Sequence, residues 1–187
     1  MDVLLHLAIG IGLSAAAGFR ILVPFLIAGI AAQQGYLTLS PSMVWMGTTP
    51  AILAFAAATA LEVLIYFVPV VDNLMDAVEL PAAAIAGTLL TVAVTGGDMS
   101  PFLQWSLALI AGGGVASSTQ AFTGLARLAS TAAGGPVGNI AVSTTELASS
   151  TILSVLAIAV PILVLILVGV LLYLSFRRRG RKRRQVY

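Results

Sequence analysis

From Val3 to Ala32 the sequence carries a single arginine, Arg20, and no acid. A run this apolar exceeds the roughly 20 residues that cross a bilayer as a helix, so it reads as a membrane segment. The pattern recurs in Pro50–Val68, Pro81–Thr95, Phe102–Leu128 and Ile140–Phe176. Charged residues make up 9% of the chain and hydrophobic ones 59%, with mean hydropathy +1.07. A soluble domain holds about 25% charged residues, so this chain lacks the polar surface to cover itself in water and the lipid bilayer is its expected solvent. The last apolar run is too long for one ordinary span. Pro161 near its middle divides it into two spans with a tight turn, one long kinked helix being the alternative. The expectation is therefore all-α, a polytopic transmembrane helix bundle of about six spans.

The charges are segregated. Seven of the nine basic residues are Arg177, Arg178, Arg179, Arg181, Lys182, Arg183 and Arg184, and the body keeps only Arg20 and Arg127. Directly after an apolar run, such a cluster reads as a stop-transfer flank held on the cytoplasmic side, not as a nucleic-acid patch. It can also touch anionic lipid. This gives a transmembrane helical domain over 1–176 and a basic cytoplasmic tail over 177–187. Six spans would put both ends inside and Arg127 on the cytoplasmic side, whereas five would put the N-terminus outside. The chain has no cysteine, which excludes disulfides, thiolate metal sites and cysteine nucleophiles. Met1-Asp2-Val3 lacks the positive region of a signal peptide, so the first apolar stretch is expected to be retained.

Small residues interrupt two of the runs. Gly12 and Gly18 lie in the first run before Pro24, and Gly112, Gly113 and Gly114 lie in the fourth. Glycine clusters in long apolar segments suggest broken helices. Ser40-Pro41 with Trp45, and Ser100-Pro101 with Trp105, each read as a cap, a proline in the first turn and an interfacial tryptophan. Asp72, Asp76 and Glu79 are spaced for one solvated face of a short surface helix, with Pro81 opening the next run. Gly96-Gly97-Asp98 reads as a turn and Thr131–Asn139 as a loop. Residues 7–20 can be laid on 107–120, and Thr59–Glu62 on Ser143–Glu146. That suggests repeats over 1–97 and 101–176, inverted because each holds three spans. The competing explanation is that small residues align easily in any membrane sequence.

Glu62 and Glu146 are the acids within the expected spans. A carboxylate in hydrocarbon costs about 2.5 kcal/mol or more, so it faces the bundle interior or a water-filled cavity. They are the candidate cation or proton site, the alternative being structural carboxylates bonded to a neighbouring helix. Arg20 would pair with one of them, bind an anion, or snorkel to the headgroups. Ser117, Ser118, Thr119 and Gln120 follow the glycines, where a broken helix would expose amides and hydroxyls to an ion or substrate. Close packing through small residues is the other reading. His6 alone does not make a metal site, the acids lack the spacing of a calcium loop, and no nucleophile–base pair or phosphate loop is visible. No catalytic residue, metal or cofactor is therefore expected, and no enzyme activity.

Four ordered motifs carry a resemblance. They are Gly12–Arg20, Leu61–Leu64 running through Pro69–Asn73, Leu107–Gly114, and Thr145–Ala148. Together they resemble a bacterial membrane family catalogued as domain of unknown function 4126. The resemblance covers nearly the whole chain up to the basic tail. It implies a bacterial inner-membrane protein of unnamed activity, and the family pattern includes an arginine and two glutamates matching Arg20, Glu62 and Glu146. Where the family leads one to expect a Thr-Thr-Gly-Gly-type loop, this chain has Ala132-Ala133-Gly134-Gly135-Pro136.

The functional expectation is a small transporter or channel for an ion or small solute, with the glutamates handling a cation or proton. Two other classes are open: an anionic-lipid-handling, flippase-like protein, and a non-transporting assembly partner. A homo-oligomer is compatible with each.

Overall fold

The computed structural model describes residues 2–65, 69–96, 99–170 and 173; the side chains of 2, 65, 69–77, 131–137 and 139 are not described. Among these residues the fold is all-helical, without strands. The elements are α1 (Asp2–Ala17), α2 (Val23–Gln33), a 3-10 turn (Val44–Gly47), α3 (Thr49–Ile65), α4 (Pro69–Val94), α5 (Pro101–Leu107), a π-helical stretch (Ala108–Gly113), α6 (Gly114–Ala159) and α7 (Pro161–Val170). Among the described residues Ile140–Ala159 is the one stretch long and apolar enough by itself to cross a membrane; the other apolar helices are shorter.

The first apolar run does break, at Gly18–Leu22, and there the chain reverses. Gly10 and Ser14 of α1 meet Thr91 and Gly87 of α4, so the two helices run antiparallel. After α2, Ser40 donates its backbone N–H to Ala93 O at 2.7 Å, back beside the level of Gly10. Only a return along α1 brings it there. Gly12 therefore makes no break. It lies inside α1, where an added Cβ would stand 2.7 Å from Ala157 Cβ. α2 stops at Gly35, whose φ of +78° suits glycine, and Tyr36 N–H closes the end on Ala31 O at 2.8 Å.

Ser40-Pro41 does not start a helix. The Ser40 N–H is spent on Ala93, its hydroxyl on Ser42, and Trp45 sits in the 3-10 turn against Phe55. α3 begins later, at Thr49. Ser100 is the cap expected, its hydroxyl accepting from Leu103 N–H with Pro101 next. The short acidic helix is also corrected. α4 runs unbroken from Pro69 through Pro81 to Val94, with Glu79 buried and not solvated. The side chains of Asp72 and Asp76, and Gly97 and Asp98 altogether, lie outside what is described.

α6 is helical from Gly114 to Ala159, yet it is not a straight rod. Arg127 and Glu146 bond to each other across 19 positions, which a straight helix would separate by about 28 Å. Gly138 also lies against Ser130. The element doubles back between those two residues, so the expected loop at Thr131–Asn139 is a reversal made with helical backbone. Its first arm (114–130) and second arm (Ile140–Ala159) flank the end of α1. The chain turns again at Val160, because Ala157 and Val164 both press on Gly12 and would stand about 10 Å apart along a straight axis. Val164 and Val168 then join the core.

The glycines of the fourth run do not open it. Gly112 and Gly113 end a π-helical stretch that keeps helical backbone and pack on Gly87, Thr88 and Thr91 of α4, and Gly114 opens α6. Gly114 is exposed, and a Cβ there would meet nothing within 4 Å. An inverted repeat would set 7–20 and 107–120 in opposite directions, but both run from the Ser40 end of the bundle toward Glu79. Among the described residues the helical arms traverse the bundle seven times, from α1 at the Ser40 end to α7 heading for the opposite one, and one stretch alone is long and apolar enough to span a membrane, so the six-span bundle is not confirmed.

Candidate functional site

The reversal at Gly18–Leu22 is built by its neighbours. Gly18 must be glycine, since a Cβ there would fall 2.4 Å from Thr119 Cβ and 2.5 Å from Ala116 O. Carbonyls at the end of α1 and in the reversal also accept from hydroxyls of both arms of α6. Ser150 donates to Ala16 O at 2.9 Å and to Arg20 O at 3.4 Å, and Thr123 donates to Gly18 O at 3.4 Å. The first N–H groups of α2 have no cap from their own segment. Glu62 supplies one from α3, accepting from Ile21 N–H at 2.8 Å and Leu22 N–H at 3.1 Å. A carboxylate at a helix N-terminus satisfies orphan donors and opposes the helix dipole.

This scaffold aims Arg20 into the bundle, where it is 2% exposed. It donates to Ser143 O at 3.3 Å and lies 3.4 Å from Glu146 Oε2. Arg127 grips the same carboxylate through Nε to Oε1 at 2.8 Å and through Nη2 to Oε2. Its Nη1 reaches Glu79 Oε1 at 3.6 Å, and Gln120 Nε2 donates to Glu79 Oε2. The result is a buried chain of partners, Gln120–Glu79–Arg127–Glu146–Arg20, drawn from α4, both arms of α6 and the α1–α2 reversal. Two arginines balance two glutamates, which a site excluded from water requires. Beside it lies a cavity of about 330 Å³ between the arms of α6, lined by Phe19, Phe122, Thr123, Thr145, Glu146 and Ser149. Glu146 is the one charged side chain shared by cluster and cavity. A larger groove of about 580 Å³ near Ile85, Phe102 and Trp105 has no charged side chain in its wall and lies apart from this chemistry.

Of the residues singled out from sequence, Arg20, Glu146 and Gln120 come together here. Glu62 stands apart as the cap of α2. Ser117, Ser118 and Thr119 are not at the site, because each hydroxyl donates to the carbonyl four residues back, on Gly113, Gly114 and Val115. Sequence reasoning missed Glu79 and Arg127. The available signals were Val78 and Leu80 on either side of Glu79, unlike the polar surroundings of Asp72, and the apolar flanks of Arg127, like those of Arg20. No group of three or more potential metal ligands occurs among the described residues.

No curated protein and no solved structure matches the chain. A family model described as a domain of unknown function, DUF4126, matches residues 7–180. That span contains α1 from Leu7 onward, every member of the buried cluster and the whole of α7, so the chain belongs to the DUF4126 family.

Proposed function

We propose that this protein is a small polytopic membrane transporter in which Glu146 accepts and releases a proton as solute passes through the cavity beside it. The observation that carries the reading is an inside-out distribution of side chains. Every Asp, Glu, Lys or Arg side chain that is described is buried or half-buried: Arg20, Glu62, Glu79, Arg127 and Glu146. Large apolar side chains such as Leu4, Leu53, Ile85, Phe102 and Ile110 are exposed instead. An apolar exterior suits lipid, and ionisable groups retained inside such a bundle mark solute or proton paths.

On this reading α1 and α2 form one hairpin in the membrane, α3 to α7 complete the bundle, and the basic tail stays in the cytoplasm. Glu62 leaves the list of proton sites, since both its oxygens serve backbone donors. The test is purified protein in liposomes with a pH dye inside. Small carboxylates, amines, sugars and monovalent cations are added in turn. At least one class should drive proton movement absent from empty liposomes, and Glu146→Gln should abolish that movement. If no class moves protons, the transporter reading is wrong.

A further inference from the structure

Resting on the transporter reading, we infer that the solute is a small monocarboxylate, carried together with a proton by the Arg20–Glu146–Arg127 trio. The cluster already contains its own template. Arg127 holds the Glu146 carboxylate through Nε and Nη2, a fork that fits a planar carboxylate, and Arg20 lies on the other side of one oxygen. Glu146 also lines the cavity, so it separates the two guanidiniums from anything that enters. A carboxylate entering there meets the guanidiniums only by taking over from Glu146.

Charge then fixes the coupling. Around Glu146 stand Arg127 on the first arm of α6, Arg20 at the α1–α2 reversal and Glu79 on α4, while Glu62 on α3 is engaged by the backbone of Ile21 and Leu22. Two arginines against two glutamates leave nothing to balance an added anion. A second carboxylate beside Glu146 cannot be accommodated with both ionised, just as paired carboxylates at one site share a proton. The entering anion therefore brings a proton onto Glu146, and the pair crosses without net charge. The cavity wall selects the rest of the solute. Phe19, Phe122 and Val142 offer apolar contact, Ser149 and Thr145 are short polar groups, and about 330 Å³ is at the small end of ligand pockets. A short organic acid fits these terms. A fatty acid shares the carboxylate and adds a chain that the short polar groups Thr145 and Ser149 do not match.

The experiment uses the full chain in liposomes. Labelled pyruvate and lactate are offered outside, with decanoate as the long competitor. The parent should take up pyruvate or lactate faster as the outside pH falls, acidify the lumen in step with uptake, and ignore an imposed membrane potential. Decanoate should compete poorly. Arg127→Lys, which keeps the charge and loses the fork, should weaken apparent affinity by about tenfold. Glu146→Gln should bind pyruvate with no pH dependence and fail to concentrate it, an outcome that loss of structure alone would not produce. Proton movement with amines or cations but not with carboxylates would overturn this inference and leave the transporter reading standing. Better competition by decanoate than by pyruvate would reassign the carboxylate to a lipid-derived acid and overturn the size argument. Carboxylate uptake that responds to potential and not to pH would overturn the coupling.

Discussion

Glu62 and Glu146 both fall within apolar runs of the sequence, and their partners make them different residues. Glu62 accepts two backbone N–H groups, so Glu62→Gln replaces one acceptor oxygen with an amide that confronts a donor. Losing a buried acceptor costs about 1–3 kcal/mol. Thermal unfolding in detergent should show that loss, and an unchanged midpoint would mean that the α2 cap is not formed. Arg127 lies between Glu79 and Glu146, so Arg127→Met strands two carboxylates at once. Breaking a buried pair from one side costs about 3–5 kcal/mol. Adding Glu79→Gln removes one of the stranded charges. The double variant should therefore be more stable than the sum of the two single losses predicts, as members of one network are coupled. Strict additivity in chemical denaturation would show that the arginine does not bridge the two acids.

At the scale of elements, glycine decides how closely helices approach. A Cβ on Gly87 would lie 2.5 Å from Gly112 O, and one on Gly112 would lie 2.2 Å from Thr91 Oγ1, whereas Gly114 has nothing within 4 Å. Gly87→Ala and Gly112→Ala should each destabilise by about 1–3 kcal/mol through overpacking. Gly114→Ala should stabilise by about 0.5–1 kcal/mol, since it relieves only the entropy cost of glycine in a helix. Equal effects at all three positions, measured by unfolding in detergent, would refute the close contact of α4 with the π-helical stretch. The same contacts explain what could be read from the sequence. Apolar runs, the Ser100 cap, the turn at Pro161 and the reversal near Gly134–Pro136 are local signals, and they were legible. Whether a glycine cluster opens a helix or lets another helix approach depends on the neighbour, which no local pattern contains. Gly18 lets Thr119 and Ala116 close on the reversal, and Gly112 lets α4 close on a stretch that stays helical. Arg20 and Glu146 announced themselves by isolation in apolar sequence. Glu79 was hidden by Asp72 and Asp76, whose spacing imitates a solvated face.

For the whole molecule, the path of the chain determines which ends share a side. The 34–43 segment meets the end of α4, where Ser40 bonds Ala93 and a Cβ on Gly96 would stand 2.8 Å from Ser40 Cβ. α1 starts at that same end, because Gly10 already lies beside Thr91 and Val94. α7 leaves that end at Val160 and packs back along α1 through Val164. The start of α1 and the end of α7 at Val170 therefore lie toward opposite ends of the bundle. On the proposal that positive charge holds the tail in the cytoplasm, the prediction is an N-terminus outside. This differs from the six-span reading, which puts both ends inside, because the α1–α2 reversal adds a pass. The absence of native cysteine makes the test clean, since any thiol label reports the introduced residue alone. Asp2→Cys, Tyr36→Cys and Ser100→Cys should react with a membrane-impermeant maleimide from outside intact cells. Gln185→Cys should react only after the membrane is opened. Labelling of Tyr36→Cys and Ser100→Cys with protection of Asp2→Cys would return α1 and α2 to a single broken span. Labelling of Gln185→Cys in intact cells would invert the orientation and remove the cytoplasmic tail from the proposal.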